Sequence, residues 1–182
     1  MTPTLATPPR VGRPEVSEYA PFYAGYIARV TEEPLAALEK QAADTAAILR
    51  RIPEASAGHR YADGKWTVRD MVGHLADTER IFNYRALRIA RGDATPLPGF
   101  DENVYANAAR ANARAWPDLI QDLATVRAAS LALFRSFDAD AWRRSGTANG
   151  ATISVRALGH IIVGHERHHL HILQTLYKLP AS

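Results

Sequence analysis

Gly164-His165-Glu166-Arg167-His168-His169-Leu170-His171 carries four of the seven histidines of this 182-residue chain. At about 100° of rotation per residue, Leu158, Ile161, Ile162, His165, His169, Ile172 and Leu176 fall on one stripe. Apart from the two histidines the stripe is aliphatic, so it reads as the core-facing seam of an amphipathic helix. His165 and His169 stand in its middle, where Leu or Ile is expected. Four residues apart, their rings project from one face one turn apart. That is the spacing by which a helix offers two imidazoles to one metal ion. The competing reading makes both rings hydrogen-bonded core residues. It needs partners for two rings in apolar surroundings, where each unsatisfied polar group costs about 1–3 kcal/mol. Spacing alone leaves the two readings open. His168 and His171 fall toward the flanks of the stripe and His160 points nearly opposite, so these three read as surface or edge residues.

Outward from this stretch, Ser154 caps the helix, which continues to about Lys178 before Pro180. Ser145-Gly146-Thr147-Ala148-Asn149-Gly150 reads as a turn-rich linker, and Asp138 to Trp142 as a short helical turn. Trp116-Pro117 opens a long helix with Leu119, Leu123, Val126, Leu131, Phe134 and Phe137 as its apolar set. A short helix is expected near Val104 to Ala111, after a long excursion containing Pro96-Leu97-Pro98-Gly99-Phe100-Asp101-Glu102-Asn103. Thr67 is a good N-cap, with Asp70 three residues on as a capping-box partner. The helix it starts runs to about Arg91, with Met71, Leu75, Phe82 and Ile89 on its apolar face. His74 lies on the border of that face and is able to look inward; Asp70 and Asp77 are within a turn of it, as orienting acceptors or as solvated acids. Pro34 begins a further helix that ends before Pro53. The aromatic set Tyr19, Phe22, Tyr23 and Tyr26 reads as packing. Residues 1–16 are proline-rich and polar and read as a flexible N-terminal arm, with a single domain over 17–179. Four long amphipathic helices, no convincing strand pair and no internal repeat predict an all-α fold: a four-helix bundle with additional short helices and long loops.

Composition narrows the chemistry. The chain has no cysteine, so disulfides, thiolate ligands and a cysteine nucleophile are excluded. A metal would be held by His, Asp or Glu, which suits zinc, nickel, iron or manganese. The pI is near 9.4, but the net charge is only +3. Its arginines are scattered among acids, as in Asp77-Thr78-Glu79-Arg80, without the basic stripe that neutralises a run of phosphates. Nucleic acid is therefore not an expected partner. No window of 18 apolar residues predicts a membrane span. The start of the chain lacks a secretion-signal pattern, so a cytoplasmic protein is expected.

Trp66-Thr67-Val68-Arg69-Asp70-Met71-Val72-Gly73-His74 resembles the tryptophan-to-histidine segment of the DinB-like bundle family, and Gly164-His165-Glu166-Arg167-His168-His169 resembles its terminal-helix motif. The run Arg80 to Asp93 and the run Pro96 to Asn103 also resemble one branch of that family. The resemblance extends from Tyr19 to about Tyr177. It implies one divalent metal held by three histidines, which by motif are His74, His165 and His169. It further implies a metal-dependent enzyme acting on a small molecule, by hydrolysis or by S-transfer with a low-molecular-weight thiol such as bacillithiol or mycothiol. A homodimer is in keeping with the family. The alternatives are a non-enzymatic metal- or ligand-binding stress-response bundle, and a bundle whose histidines hold nothing. No catalytic base is assigned: Glu166, Asp77, Glu79 and Asp101 are candidates for base or for orienting roles. Arg85, on the His74 side of its helix, reads either as a site for an anionic substrate or as one half of an ion pair.

Overall fold

The computed structural model describes residues 9–179. Its long helices are α2 (Pro34–Arg50), α3 (Val68–Ala90), α5 (Trp116–Arg135) and α7 (Val155–Thr175), as the apolar periodicity predicts. Shorter helices are α1 (Ala24–Ile27), α4 (Glu102–Ala109) and α6 (Ala139–Arg143). The ends follow from local chemistry. Pro34 and Pro117 lie in the first turns of α2 and α5, where a missing N–H costs nothing. Thr67 accepts from the Asp70 N–H while the Asp70 carboxylate accepts from the Thr67 N–H, a complete capping box on α3. Ser154 accepts from the Ala157 N–H at the start of α7.

The expectation of no strand pair is corrected. Ser145–Ala148 (β1) and Ala151–Ser154 (β2) form an antiparallel hairpin, with Ala148 paired to Ala151. Its two-residue turn is Asn149-Gly150, with φ of 51° and 73°, the left-handed pair that suits the twist of a tight hairpin. Leu97 joins it from the preceding excursion: its N–H donates to the Thr147 carbonyl, and its own carbonyl accepts from the Asn149 N–H. The bundle remains essentially helical.

Around the bundle, α2 packs on α5 and α7, and α3 packs on the same two. Each long helix crosses from one apolar cluster to another. Leu35 and Leu38 of α2 belong to the first cluster and Leu49 to the second, and α7 runs the same way from Leu158 and Ile161 to Leu173. α3 runs oppositely, from Val72 and Leu75 to Phe82 and Ile89, and so does α5, from Leu119 and Leu123 to Leu131 and Phe134. Since α3 and α5 are adjacent and parallel, the chain must return the length of the bundle between them. The excursion through α4 is that crossover.

Between the two clusters lies a buried polar layer: Gln41 and Thr45 of α2, His74, Thr78 and Glu79 of α3, Arg127 and Ser130 of α5, and His165, Glu166 and His169 of α7. Of the proline-rich stretch read as an arm, residues 1–8 lie outside the described residues. Val11 is buried against the bundle, and its N–H donates to Glu33 at 2.9 Å.

Candidate metal centre

Three helical positions converge within the polar layer. His74 comes from the second turn of α3, and His165 and His169 come from the middle of α7. His165 Nε2 stands 3.0 Å from His74 Nε2 and 3.0 Å from His169 Nε2. All three rings are buried. Burial lowers each pKa: His74 to about 4 and His169 to about 3, with His165 well below its ordinary value, and the neighbouring imidazoles add to the effect for His165 and His169. The rings are therefore neutral near pH 7, the form that binds metal.

As a hydrogen-bonded core cluster these rings are poorly served. Each Nε2 offers one in-plane position, yet that of His165 faces two others. Among the described residues His169 Nδ1 also has no hydrogen-bond partner, though it is buried. One divalent ion accepts all three Nε2 lone pairs together, and nitrogens bound at about 2.0–2.1 Å lie about 3.0–3.4 Å apart. The donor set and its spacing fit such an ion. Three ligands also leave positions for water or substrate.

His74 Nδ1 lies 3.3 Å from Thr78 Oγ1, so the hydroxyl one turn on, not Asp70 or Asp77, orients this ring. Asp70 instead closes the capping box and accepts from Asn112, and Asp77 pairs with Arg80 at 3.1 Å. Trp66 lies over His74, with ring centres 4.7 Å apart, and stacks more distantly on His169. Tyr26 meets His165 edge-on at 5.3 Å.

The cluster opens into a cavity of about 390 Å³, within the range that holds small molecules. Tyr23, Tyr26, Trp66, Phe82 and Phe100 give it aromatic walls; Arg85 and Asn149 are further lining residues. The aromatic segment near residue 20 thus does more than pack, because Phe22, Tyr23 and Tyr26 line the cavity. Among the described lining residues the one acid is Glu102, which is exposed.

None of the four acids considered as base lies in this cavity. Asp101 caps α4. Glu79 and Glu166 are held in a buried network around Arg127. Arg127 Nε and Nη2 donate to Glu79 at 2.8 and 2.9 Å, and Nη2 also donates to Glu166 at 2.9 Å. Ser130 donates to Glu79 at 2.5 Å. Gln41 and Thr45 donate to Glu166 at 2.5 and 2.6 Å. Burial is the largest influence on Glu166 and raises its pKa. His160, read from its angle as a surface residue, is buried: α1 packs on α7, and the His160 Nδ1 lies 2.8 Å from the Arg156 carbonyl oxygen. His171 is exposed and His168 half-buried, as expected of flank positions.

The DinB superfamily model matches residues 37–173. Two solved structures resemble the chain at 19% identity, a level that speaks for the fold. One is YfiT from Bacillus subtilis, described as "a probable metal-dependent hydrolase with an unusual four-helix bundle topology". It aligns over 90% of this chain and 92% of its own, with a TM-score of 0.67. The other is a mycothiol-dependent maleylpyruvate isomerase, aligned over 79% of this chain and 61% of its own, with a TM-score of 0.61. A search of curated proteins gives no significant match. Among the described residues no helix is long and apolar enough to cross a membrane. The chain belongs to the DinB superfamily.

Proposed function

We propose that this member of the DinB superfamily is a metal-dependent enzyme acting on a small molecule, with His74, His165 and His169 holding one divalent transition ion: zinc, nickel, iron or manganese. The observation that carries the reading is the convergence of three neutral, buried Nε2 atoms on the edge of a cavity of about 390 Å³. When bound, such an ion supplies a Lewis acid and lowers the pKa of a coordinated nucleophile. The surrounding residues supply the rest. Thr78 fixes the His74 tautomer by accepting from Nδ1, which leaves Nε2 as the ligand atom. The aromatic walls exclude water and give an apolar substrate body a surface to lie on.

Hydrolysis and S-transfer with a low-molecular-weight thiol would use the same pocket. The lining favours the thiol. Among the described residues the one carboxylate lining the cavity is the exposed Glu102, and no hydrogen bond ties it to the histidines as a base for an attacking water. A thiol, with an ordinary pKa of about 8.5, gives up its proton near neutrality with little help.

Elemental analysis of untagged protein prepared without chelator tests the metal centre, for wild type and for His165→Ala. The expected result is about one equivalent of transition metal in wild type and its loss in the variant. An empty wild type that takes up none of the four metals at micromolar concentration would overturn the reading. Loaded protein is then assayed with thiol acceptors and with esters. Turnover of esters without added thiol would overturn the preference for transfer.

A further inference from the structure

Arg85 lies on α3 about three turns beyond His74 and is only 2% exposed. Its Nη2 donates to the Pro98 carbonyl at 2.7 Å. Its guanidinium carbon lies 5.8 Å from the Phe82 ring centre and 5.9 Å from that of Phe100. Its helix neighbours Arg80 and Arg88 both pair with aspartates. Arg85 forms no ion pair among the described residues, not even with Glu102 on the same cavity wall. A buried cation without a counter-charge is costly, and this one is held rigidly by a backbone carbonyl and two rings. The Phe82 ring that neighbours Arg85 also neighbours His165, with ring centres 6.3 Å apart.

We propose that Arg85 is the anion-binding group of this cavity, and that the substrate carries a carboxylate at the end remote from its reacting centre, with the Phe82 ring alongside the part between. The idea deepens the proposed function and rests on it for the reaction, but its test reads binding alone. A carboxylate suits the site better than a phosphate. One planar guanidinium matches two carboxylate oxygens, whereas a doubly charged phosphate usually gathers several donors, and among the described residues Arg85 is the one arginine or lysine lining the cavity. The aromatic walls between the two ends suit an apolar or planar middle.

Hydrocinnamate and its neutral isostere hydrocinnamamide, titrated calorimetrically into the full-length protein, provide the test. The expected preference of wild type for the carboxylate is about tenfold or more, the usual strength of a charge-assisted hydrogen bond. Arg85→Gln should abolish that preference. Arg85→Lys should keep part of it, having the charge without the fork. His165→Ala should keep it. Circular dichroism checks each fold, and Arg85→Lys decides if Arg85→Gln fails to fold. Equal affinities in wild type, no binding of either compound, or a preference that survives Arg85→Gln would each overturn the proposal. A preference that survives Arg85→Gln but vanishes in His165→Ala would place the carboxylate on the histidines, leaving the metal centre standing without this subsite. A preference owed to Arg85 in a protein that takes up no metal would have the opposite meaning.

Discussion

Replacing the buried Arg127 with Met should destabilise the protein more than breaking any of its exposed or half-buried ion pairs. Arg127, Glu79 and Glu166 have side chains only 3–4% exposed. Three N–H···O contacts from one guanidinium hold both carboxylates. Methionine fills much of the volume but leaves two carboxylates buried without a cation. Removing one partner of a buried ionic network costs about 3–5 kcal/mol. For a chain of this size that lowers Tm by about 6–20 °C. Urea unfolding followed by circular dichroism at several pH values measures it.

The pH dependence tests the cause. Burial already raises the Glu166 pKa with Arg127 present, and removing the cation raises it further. A carboxylate whose folded pKa lies above its unfolded value is a penalty at high pH. That penalty is relieved as pH falls through the folded pKa, because the folded state then binds the proton more tightly. The Arg127→Met deficit should therefore be largest near pH 8 and shrink toward pH 5. The triple variant Glu79→Gln, Arg127→Met, Glu166→Gln should recover more than half of it, since it buries no charge. A deficit below about 1 kcal/mol at pH 8, a deficit indifferent to pH, or a triple variant no better than Arg127→Met would refute the argument.

Three further outcomes are expected. Gly164→Ala would set a Cβ 2.0 Å from the Tyr26 carbonyl oxygen, so α1 must move off α7. A loss of about 1–3 kcal/mol in chemical unfolding, with altered tyrosine fluorescence, would show it; wild-type stability would count against the close approach. Thr67→Ala removes the N-cap of α3 and a contact to Asn112 at 2.9 Å, and should cost about 1–2 kcal/mol in the same assay. Metal-free protein should lose stability on acidification below pH 6.5. His74 and His169 are lowered to about 4 and about 3, so the unfolded chain binds protons first. Their stabilisation is whole above the ordinary value of 6.5 and disappears as pH falls through the folded values. A chelated His74→Leu, His169→Leu variant should show a flatter profile between pH 6.5 and 4, and an unchanged slope would contradict this.

The long helices were legible because each has a sustained apolar seam and a chemical start: Pro34, the Thr67 capping box, Trp116-Pro117 and Ser154. The hairpin was missed despite Asn149-Gly150, the dipeptide that best marks a tight turn. Its strands have only four residues each and little hydrophobic alternation, Ser-Gly-Thr-Ala against Ala-Thr-Ile-Ser. Periodicity has nothing to work on at that length. His160 failed for another reason. A helical angle defines one inward face, but α7 is covered on several sides, by α1, α2, α3 and α6. For such a helix the face opposite the seam is also core.

The centre was half legible. Two histidines interrupting an aliphatic seam stood out, whereas Arg127 did not. Yet Leu123, Arg127, Ser130 and Phe134 share the seam of α5 as His165 shares that of α7, and Leu75, Glu79, Phe82 and Ala86 do so on α3. All of these interruptions meet at one level of the bundle, and the space around them separates their roles. On the Arg127 side the cavity is about 10 Å³, the size of one water. Among the described residues, Arg127 Nη1 and Gln41 Oε1 are buried there without partners, and both residues border that cavity. That half of the layer is closed on itself and ties α2, α3, α5 and α7 together one residue from His165 and five from His74. On the histidine side the cavity is about 390 Å³, and three ring nitrogens converge with no group among the described residues able to take their lone pairs together. Unmet bonding capacity facing open volume separates a place for ligand from a place for structure, and here both lie in a single layer, the closed half holding the open one in register.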